Sequence, residues 1–357
     1  MIRPLWGRAR GNGGTQRSAL IVGPYRVHNF GDDLIGAVIA KHLQKNGYRV
    51  SIPKLSAENA NWLGVRHAET YDGLFETADL VVVGGGGIMS DTAGAKPGAS
   101  YLEIISRAAV QGVLNSQPLV VTGVGAGPWL RDKSRLLALE VAGIAKRVGV
   151  RDRESYDHLR ALGVEEDKIV AGADLALLTS DLLRFGRRRA LGRKVGLQFD
   201  IAHFADMQEN PHLGAIEAAV TGFANDNSRS VVLVSNGRHR SQLADVAPDC
   251  ELLRYTTLRE FLPRLAGLDV LMTSHLHLAI TAYSQRIPSF SLYVREKTRR
   301  FYDQIGHPER AVDLRIATPD DVRRLIASVE TARWTPSDEA RLRQLKTQSR
   351  ELLDLLP

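Results

Sequence analysis

The chain has 357 residues, 44% hydrophobic and 24% charged, a balance that suits a globular protein with room for two domains and excludes a disordered or fibrous one. Its formal charge of +7, from 47 Lys and Arg against 40 Asp and Glu, suits an anionic substrate or an anionic membrane surface. The single cysteine, Cys250, excludes an internal disulfide and a multi-cysteine metal site, and no apolar run approaches the roughly 20 residues of a bilayer span.

Residues 1–17 are positively charged but lack the apolar core of a secretory signal, and Gly11-Asn12-Gly13-Gly14 is a poor former of regular structure. They read as a disordered tail on a cytoplasmic protein. A strand is expected at Ala19-Leu20-Ile21-Val22, followed by Gly23-Pro24-Tyr25. Asn29-Phe30-Gly31-Asp32-Asp33 then opens a helix whose apolar stripe is Leu34, Ile35, Val38, Ile39 and Leu43. Asp32 and Asp33 can cap free N–H groups at that helix start; the same N-terminus is also an anion site that Asn29 and the Gly31 backbone would face. A second strand is expected over Tyr48 to Ile52. Ala78 to Val83 forms the next strand and runs into Gly84-Gly85-Gly86-Gly87, a spacing that is not the dinucleotide-binding pattern. Four consecutive glycines let a ligand approach backbone, so this is read as a ligand-proximal loop, with Asp91 beyond it as a cap or a partner for a sugar hydroxyl.

Leu119-Val120-Val121-Thr122 repeats the theme, ending in Gly123-Val124-Gly125, and Leu136 to Ala145 is amphipathic. Val148-Gly149-Val150 leads into Arg151-Asp152-Arg153-Glu154-Ser155. Arg151 or Arg153 could grip a carboxylate or phosphate with its guanidinium fork, or pair with Asp152 or Glu154. The cations Arg184, Arg187-Arg188-Arg189 and Arg193-Lys194 read as a solvated linker. With no interleaved aromatics or binding motif, no nucleic-acid partner is expected. Strand and helix alternation restarts at Lys194 to Phe199 and continues with a helix around Gly214 to Asn225 and strands at Ser230 to Asn236 and Leu252 to Tyr255. Helical stripes return from Pro319, and Leu342, Leu345, Leu352 and Leu353 suggest a last helix.

The most informative stretch is Asp269 to Lys297. Val270-Leu271-Met272 reads as a buried strand, Thr273-Ser274-His275-Leu276-His277 as a polar turn, Leu278 to Tyr283 as a helix, and Phe290 to Tyr293 as a second strand ending near Arg295 and Lys297. Ligands of open parallel sheets bind beyond the carboxyl ends of strands, so His275, His277, Tyr293, Arg295 and Lys297 are expected to line one crevice suited to an anion. Taken alone, His277 reads first as a hydrogen-bonded core histidine. No metal-ligand spacing is present.

Together these residues resemble the polysaccharide pyruvyl transferase family. The resemblance rests on Asn29-Phe30-Gly31-Asp32-Asp33, the Gly84 to Gly87 run with Asp91, Gly123-Val124-Gly125, Arg151 to Ser155, Ala173-Asp174, and Ser274 to His277 with Tyr293 and Lys297, covering residues 18–310. It implies an α/β protein of two Rossmann-like domains facing across a cleft (GT-B-like). The corresponding division is a tail at 1–17, domains at 18–183 and 194–330 joined by the linker at 184–193, and a C-terminal helix at 331–357 packing back. It implies transfer of pyruvate from phosphoenolpyruvate, as co-substrate and with no other cofactor, to a sugar of an exopolysaccharide or cell-wall glycan. That acceptor would be lipid-linked, with peripheral association at the inner membrane face. His277 would be the acid or base, with Asp32 sharing the base role. Arg151, His275, Arg295 and Lys297 would hold the donor, and Asn29, Gly31, Gly84, Gly85, Gly86, Gly87 and Asp91 would position acceptor or loop. His275 stands where the family usually has arginine, exchanging a permanent charge for a titratable one. A glycosyltransferase using a sugar nucleotide, or a non-catalytic glycan-binding protein, are the alternatives.

Overall fold

The computed structural model describes residues 16–25, 28–91, 100–186, 193–199, 210–226, 230–237 and 243–357. Most of the expected tail and Arg187-Arg188-Arg189 of the expected linker lie outside the described residues. The chain divides into two compact units: Met1–His28, Asp32–Leu178 and Lys346–Pro357 form the first, and Asn29–Gly31 with Thr179–Leu345 form the second.

In the first unit the order is β1 (Ser18–Val22), α1 (Phe30–Lys45, whose first two residues group with the second unit), β2 (Arg49–Pro53), α2 (Ala57–Leu63), β3 (Arg66–Ala68), β4 (Leu80–Gly84), α3 (Tyr101–Leu114), β5 (Leu119–Val124), α4 (Asp132–Ile144), β6 (Arg147–Val150), α5 (Arg153–Ala161) and β7 (Ile169–Ala171). The second contains α6 (Thr179–Leu182), β8 (Lys194–Gln198), α7 (Leu213–Ala224), β9 (Ser230–Ser235), α8 (Leu243–Val246), β10 (Glu251–Arg254), α9 (Leu258–Leu265), β11 (Val270–Thr273), α10 (Leu276–Ser284), β12 (Ser289–Tyr293), α11 (Glu296–Ile305), β13 (Ala311–Asp313), α12 (Pro319–Thr331) and the first part of α13 (Pro336–Leu353).

Both sheets are parallel throughout, in the orders β3-β2-β1-β4-β5-β6-β7 and β10-β9-β8-β11-β12-β13. Strands covered by helices on both faces need no polar alternation, which is why β4, β5 and β12 are buried at every position. Helix starts are fixed by side-chain caps: Ser56, Ser100, Asp152, Thr257 and Thr318 each accept the N–H three residues on. Each sheet reverses its winding once, between β1 and β4 and between β8 and β11. In open α/β sheets the ligand crevice lies beyond the carboxyl ends of the strands at such a switch point.

Candidate active site

At the switch point of the first sheet, β1 runs into Gly23 and β4 ends at Gly84, over the buried Tyr25. The Tyr25 hydroxyl donates to the Gly84 carbonyl at 3.1 Å, and burial pushes its phenol well above its ordinary pKa, with Tyr71, Asp32 and Asp33 adding to the shift. Gly85 and Gly86 have φ of +102° and +66°, a backbone that side chains resist. A Cβ on Gly86 would lie 2.7 Å from Asp32 Oδ1, so the carboxylate rests directly on the glycine loop. Its neighbour has a different place: Asp33 is fully buried and accepts from the Asn59 amide at 3.3 Å. The loop is tied to the next strand end by Gly125 N–H donating to Gly86 O and Gly127 N–H to Met89 O, both at 2.9 Å.

The segment Arg151 to Ser155 supports that loop. Arg151 is buried, with Nη1 3.2 Å from Asp174 Oδ2, Nε 3.7 Å from Asp152 Oδ2, and Nη2 2.9 Å from where a Cβ on Gly125 would stand and 3.8 Å from one on Gly87. Burial raises the Asp174 carboxyl pKa, and the Arg151 charge and Ala176 N–H only partly offset it. Asp152 caps α5 through Ser155 N–H at 2.7 Å, while the Ser155 hydroxyl accepts from Ala126 N–H at 3.0 Å. Arg153 is exposed, pairing with Asp157 at 2.9 Å. Of the two arginines, Arg151 therefore faces the glycine loops. Asp91 is directed elsewhere: it accepts from the backbone N–H groups of Leu130 and Arg131 and from the Arg131 guanidinium, ahead of α4. Burial pushes its carboxyl up, but hydrogen bonds from Ser134, Leu130 and Arg131 outweigh this and hold it below the ordinary range.

At the switch point of the second sheet, Gln198 closes β8 and its buried Oε1 accepts from Thr273 Oγ1 (2.7 Å), Ser274 N–H (3.0 Å) and Ser274 Oγ (3.1 Å). This fixes the turn after β11, where His275 stands at the N-cap position of α10 and its N–H donates to Thr273 Oγ1 at 3.0 Å. The Asn236 amide nitrogen lies 3.1 Å from His275 Nδ1, and Asn236 Oδ1 is buried without a hydrogen-bond partner among the described residues. His277 occupies the first turn of α10, half-buried. Its ring fills the space beside Gly31, where an added Cβ would overlap the imidazole and stand 2.6 Å from the His277 Cβ. Asn29 Oδ1 accepts from Gly31 N–H at 2.9 Å, and Phe30 packs on Tyr255 and Phe261 with ring centroids 5.4 and 4.8 Å apart. One strand over, Arg295 is exposed at the N-cap of α11. Lys297 lies in the first turn of that helix, past the end of β12.

Thus Asp32, Arg151 and the Gly84 to Gly87 loop gather in the first unit, and Gly31, His275 and His277 in the second, with Arg295 and Lys297 on the same sheet edge. Gln198, Asn236 and Tyr25 were not anticipated as site residues. A polar residue closing an apolar strand, as in Lys194-Val195-Gly196-Leu197-Gln198, is the signal that marks the first of them.

Residues 29–296 match the model of a family described as polysaccharide pyruvyl transferase. Among curated proteins none matches the sequence. Solved structures similar in fold include the UDP-GlcNAc 2-epimerase of Methanocaldococcus jannaschii (13% identity, TM-score 0.64, covering 95% of this chain and 99% of that one). MnaA of S. aureus, solved with UDP, gives 12% identity, a TM-score of 0.59, and coverage of 95% and 92%. Anabaena HepE, also solved with UDP, gives 11%, 0.57, and coverage of 95% and 99%. At these identities the likeness shows the fold alone, that of two Rossmann-like domains of the GT-B type.

Proposed function

The chain belongs to the polysaccharide pyruvyl transferase family, and from that premise we propose that it transfers the pyruvyl group of phosphoenolpyruvate to two hydroxyls of one sugar as a ketal, releasing phosphate. The observation that carries the reading is the position of His277, in the first turn of α10 beside the switch point of the second sheet. The methylene carbon of the donor gains a proton and becomes a methyl group, which makes the central carbon electrophilic. One sugar hydroxyl adds to it and loses its proton, the C–O bond to phosphate breaks with its electron pair leaving on phosphate, and the second hydroxyl closes the ketal. His277 serves as the acid or base of these transfers, since imidazole titrates near neutrality, and Asp32 is the candidate base of the first unit. Arg151, Arg295 and Lys297 carry the charge that binds donor carboxylate and phosphate, with His275 a further, titratable partner. The glycine loop, Asn29 and the Gly31 backbone offer surfaces to acceptor or donor. Asp91 acts through α4 and the loop before it. The acceptor is a sugar of an extracellular or cell-wall glycan carried on a lipid, and the work is done at the cytoplasmic face of the membrane.

A sugar-nucleotide reading competes, because MnaA and HepE were solved with UDP. The test is phosphate release from phosphoenolpyruvate by the purified protein against a panel of galactosides, glucosides and mannosides, beside His277→Ala and His275→Arg. Acceptor-dependent release that vanishes in His277→Ala with the fold intact is expected. Equal release by His277→Ala overturns the role of that residue. Silence in both native protein and His275→Arg, with UDP binding by calorimetry, favours the sugar-nucleotide reading.

A further inference from the structure

Beside the switch point of the first sheet, and wholly within the first unit, lies a cavity of about 490 Å³, a size suited to a small ligand. It reaches Gly23, just past β1. A Cβ there would stand 2.7 Å from both the Gly84 carbonyl and the Tyr25 ring, so glycine keeps this strand end clear. Lys54 lines the cavity from beyond β2, Tyr71, Asp72 and Phe75 from beyond β3, and Tyr101 and Arg107 from α3. The aromatic wall is held in place. Tyr71 and Phe75 stack with ring centroids 6.1 Å apart, Leu74 N–H donates to Tyr71 O at 3.1 Å, and the Gln117 amide donates to Phe75 O and, at 2.6 Å, to Ala78 O. Tyr71 and Tyr101 are half-buried, while Asp72 and Arg107 are exposed.

Aromatic rings with hydrogen-bonding groups of both signs match a pyranose. Its C–H faces pack on aromatic rings, and its neutral hydroxyls both donate to a carboxylate and accept from cations. An anion fits less well, because Asp72 stands with Lys54 and Arg107 around the same cavity. The place agrees with the chemistry. Gly23 and Gly84 follow the paired residues Val22 and Val83, and Gly84 opens the loop on which the Asp32 carboxylate rests. We propose that this cavity is the acceptor subsite, holding a pyranose ring against Tyr71 and Tyr101 with Asp72 bonded to its hydroxyls. The assignment rests on the proposed pyruvyl transfer, which requires a sugar acceptor, and adds where that sugar sits.

Saturation-transfer NMR with methyl galactoside, glucoside and mannoside tests this on the full chain, beside the phosphate-release assay. The native protein should saturate the ring protons of at least one glycoside. Tyr71→Ala and Tyr101→Ala should each weaken that binding about tenfold and raise the acceptor KM as much, with the phosphoenolpyruvate KM little changed. Tyr71→Phe should retain binding. Asp72→Ala, at an exposed position where the fold is not at risk, should lose about fivefold. Native protein that binds no glycoside, or Tyr71→Ala, Tyr101→Ala and Asp72→Ala that all bind as native does, overturns the proposal. So does UDP binding that Tyr71→Ala abolishes while glycosides are ignored, which assigns the cavity to a nucleobase. Acceptor-dependent phosphate release at native acceptor KM in these variants overturns the subsite and leaves pyruvyl transfer standing. Glycoside binding that the variants lose, without any phosphate release by the native protein, upholds the sugar site and removes the pyruvyl-transfer reading.

Discussion

Replacing Gly31 by alanine tests the candidate site without touching an ionisable group. The added Cβ would overlap the His277 ring and sit 2.6 Å from the His277 Cβ. Ordinary carbon contacts begin near 3.5 Å, so the side chain must move by about 1 Å or the helix start must shift by as much. Overpacking of this kind typically costs about 1–3 kcal/mol in stability. A displacement of about 1 Å in a catalytic group costs on the order of a hundredfold in rate. Gly31→Ala should therefore stay folded, with a modestly lower denaturation midpoint, while acceptor-dependent phosphate release falls about a hundredfold. Combined with His277→Ala it should cause little further loss, because both changes remove one function. Turnover within a few-fold of native in Gly31→Ala would refute the argument that the His277 ring must occupy that space for catalysis.

Other perturbations separate support from chemistry. Arg151→Ala leaves the buried Asp174 without its guanidinium partner and should destabilise the protein by about 3–5 kcal/mol in urea unfolding, so lost activity in that variant is not by itself proof of donor binding. Gly86→Ala imposes a side chain at φ +66° and pushes Asp32 Oδ1 from the loop; a cost of about 1–2 kcal/mol with a larger fractional loss of activity is expected in parallel melts and phosphate assays. Asp338 is buried and, although burial pushes its carboxyl up, hydrogen bonds from Arg310 and Thr335 and the Arg310 charge hold it below its ordinary value. Its contribution to stability is then fully present above the unfolded-state value of about 4 and is lost as pH falls through the lower folded value. Denaturation midpoints measured from pH 6 downward should drop more steeply in the native protein than in Asp338→Asn.

The central strands were legible because burial on both faces leaves uninterrupted apolar runs, as at Leu80 to Val83 and Val270 to Met272. The edge strands Arg66–Ala68 and Ala311–Asp313 gave no such run, being three residues long and only half-buried. Helix α3, though capped by Ser100, is not announced by the sequence, because the glycines ahead of it favour a loop. Helix α11 is hard to see in the sequence because it is mostly charged, and its buried residues Thr298, Phe301, Tyr302 and Ile305 show their spacing only once the helix is known. At the site, motif residues could be named from the sequence, but their company could not. That Asp32 rests on Gly86 while Asp33 bonds Asn59 depends on which face of α1 each occupies. Gln198 acquires its place only through the pairing of β8 with β11, seventy-odd residues apart.

Residues Lys346–Pro357 complete the first unit: Thr122 Oγ1 donates to Leu352 O at 2.7 Å, Ser349 Oγ to Asp174 O at 3.0 Å, and Leu352 packs over Gly172. A ribosome must therefore pass through the whole second unit before the first receives its last piece, a delay of roughly ten seconds or more. During that interval the carboxylate pair partner Asp174 and the back of β5 await their cover. A nascent chain halted within the second unit would present an unfinished first unit to chaperones and proteases.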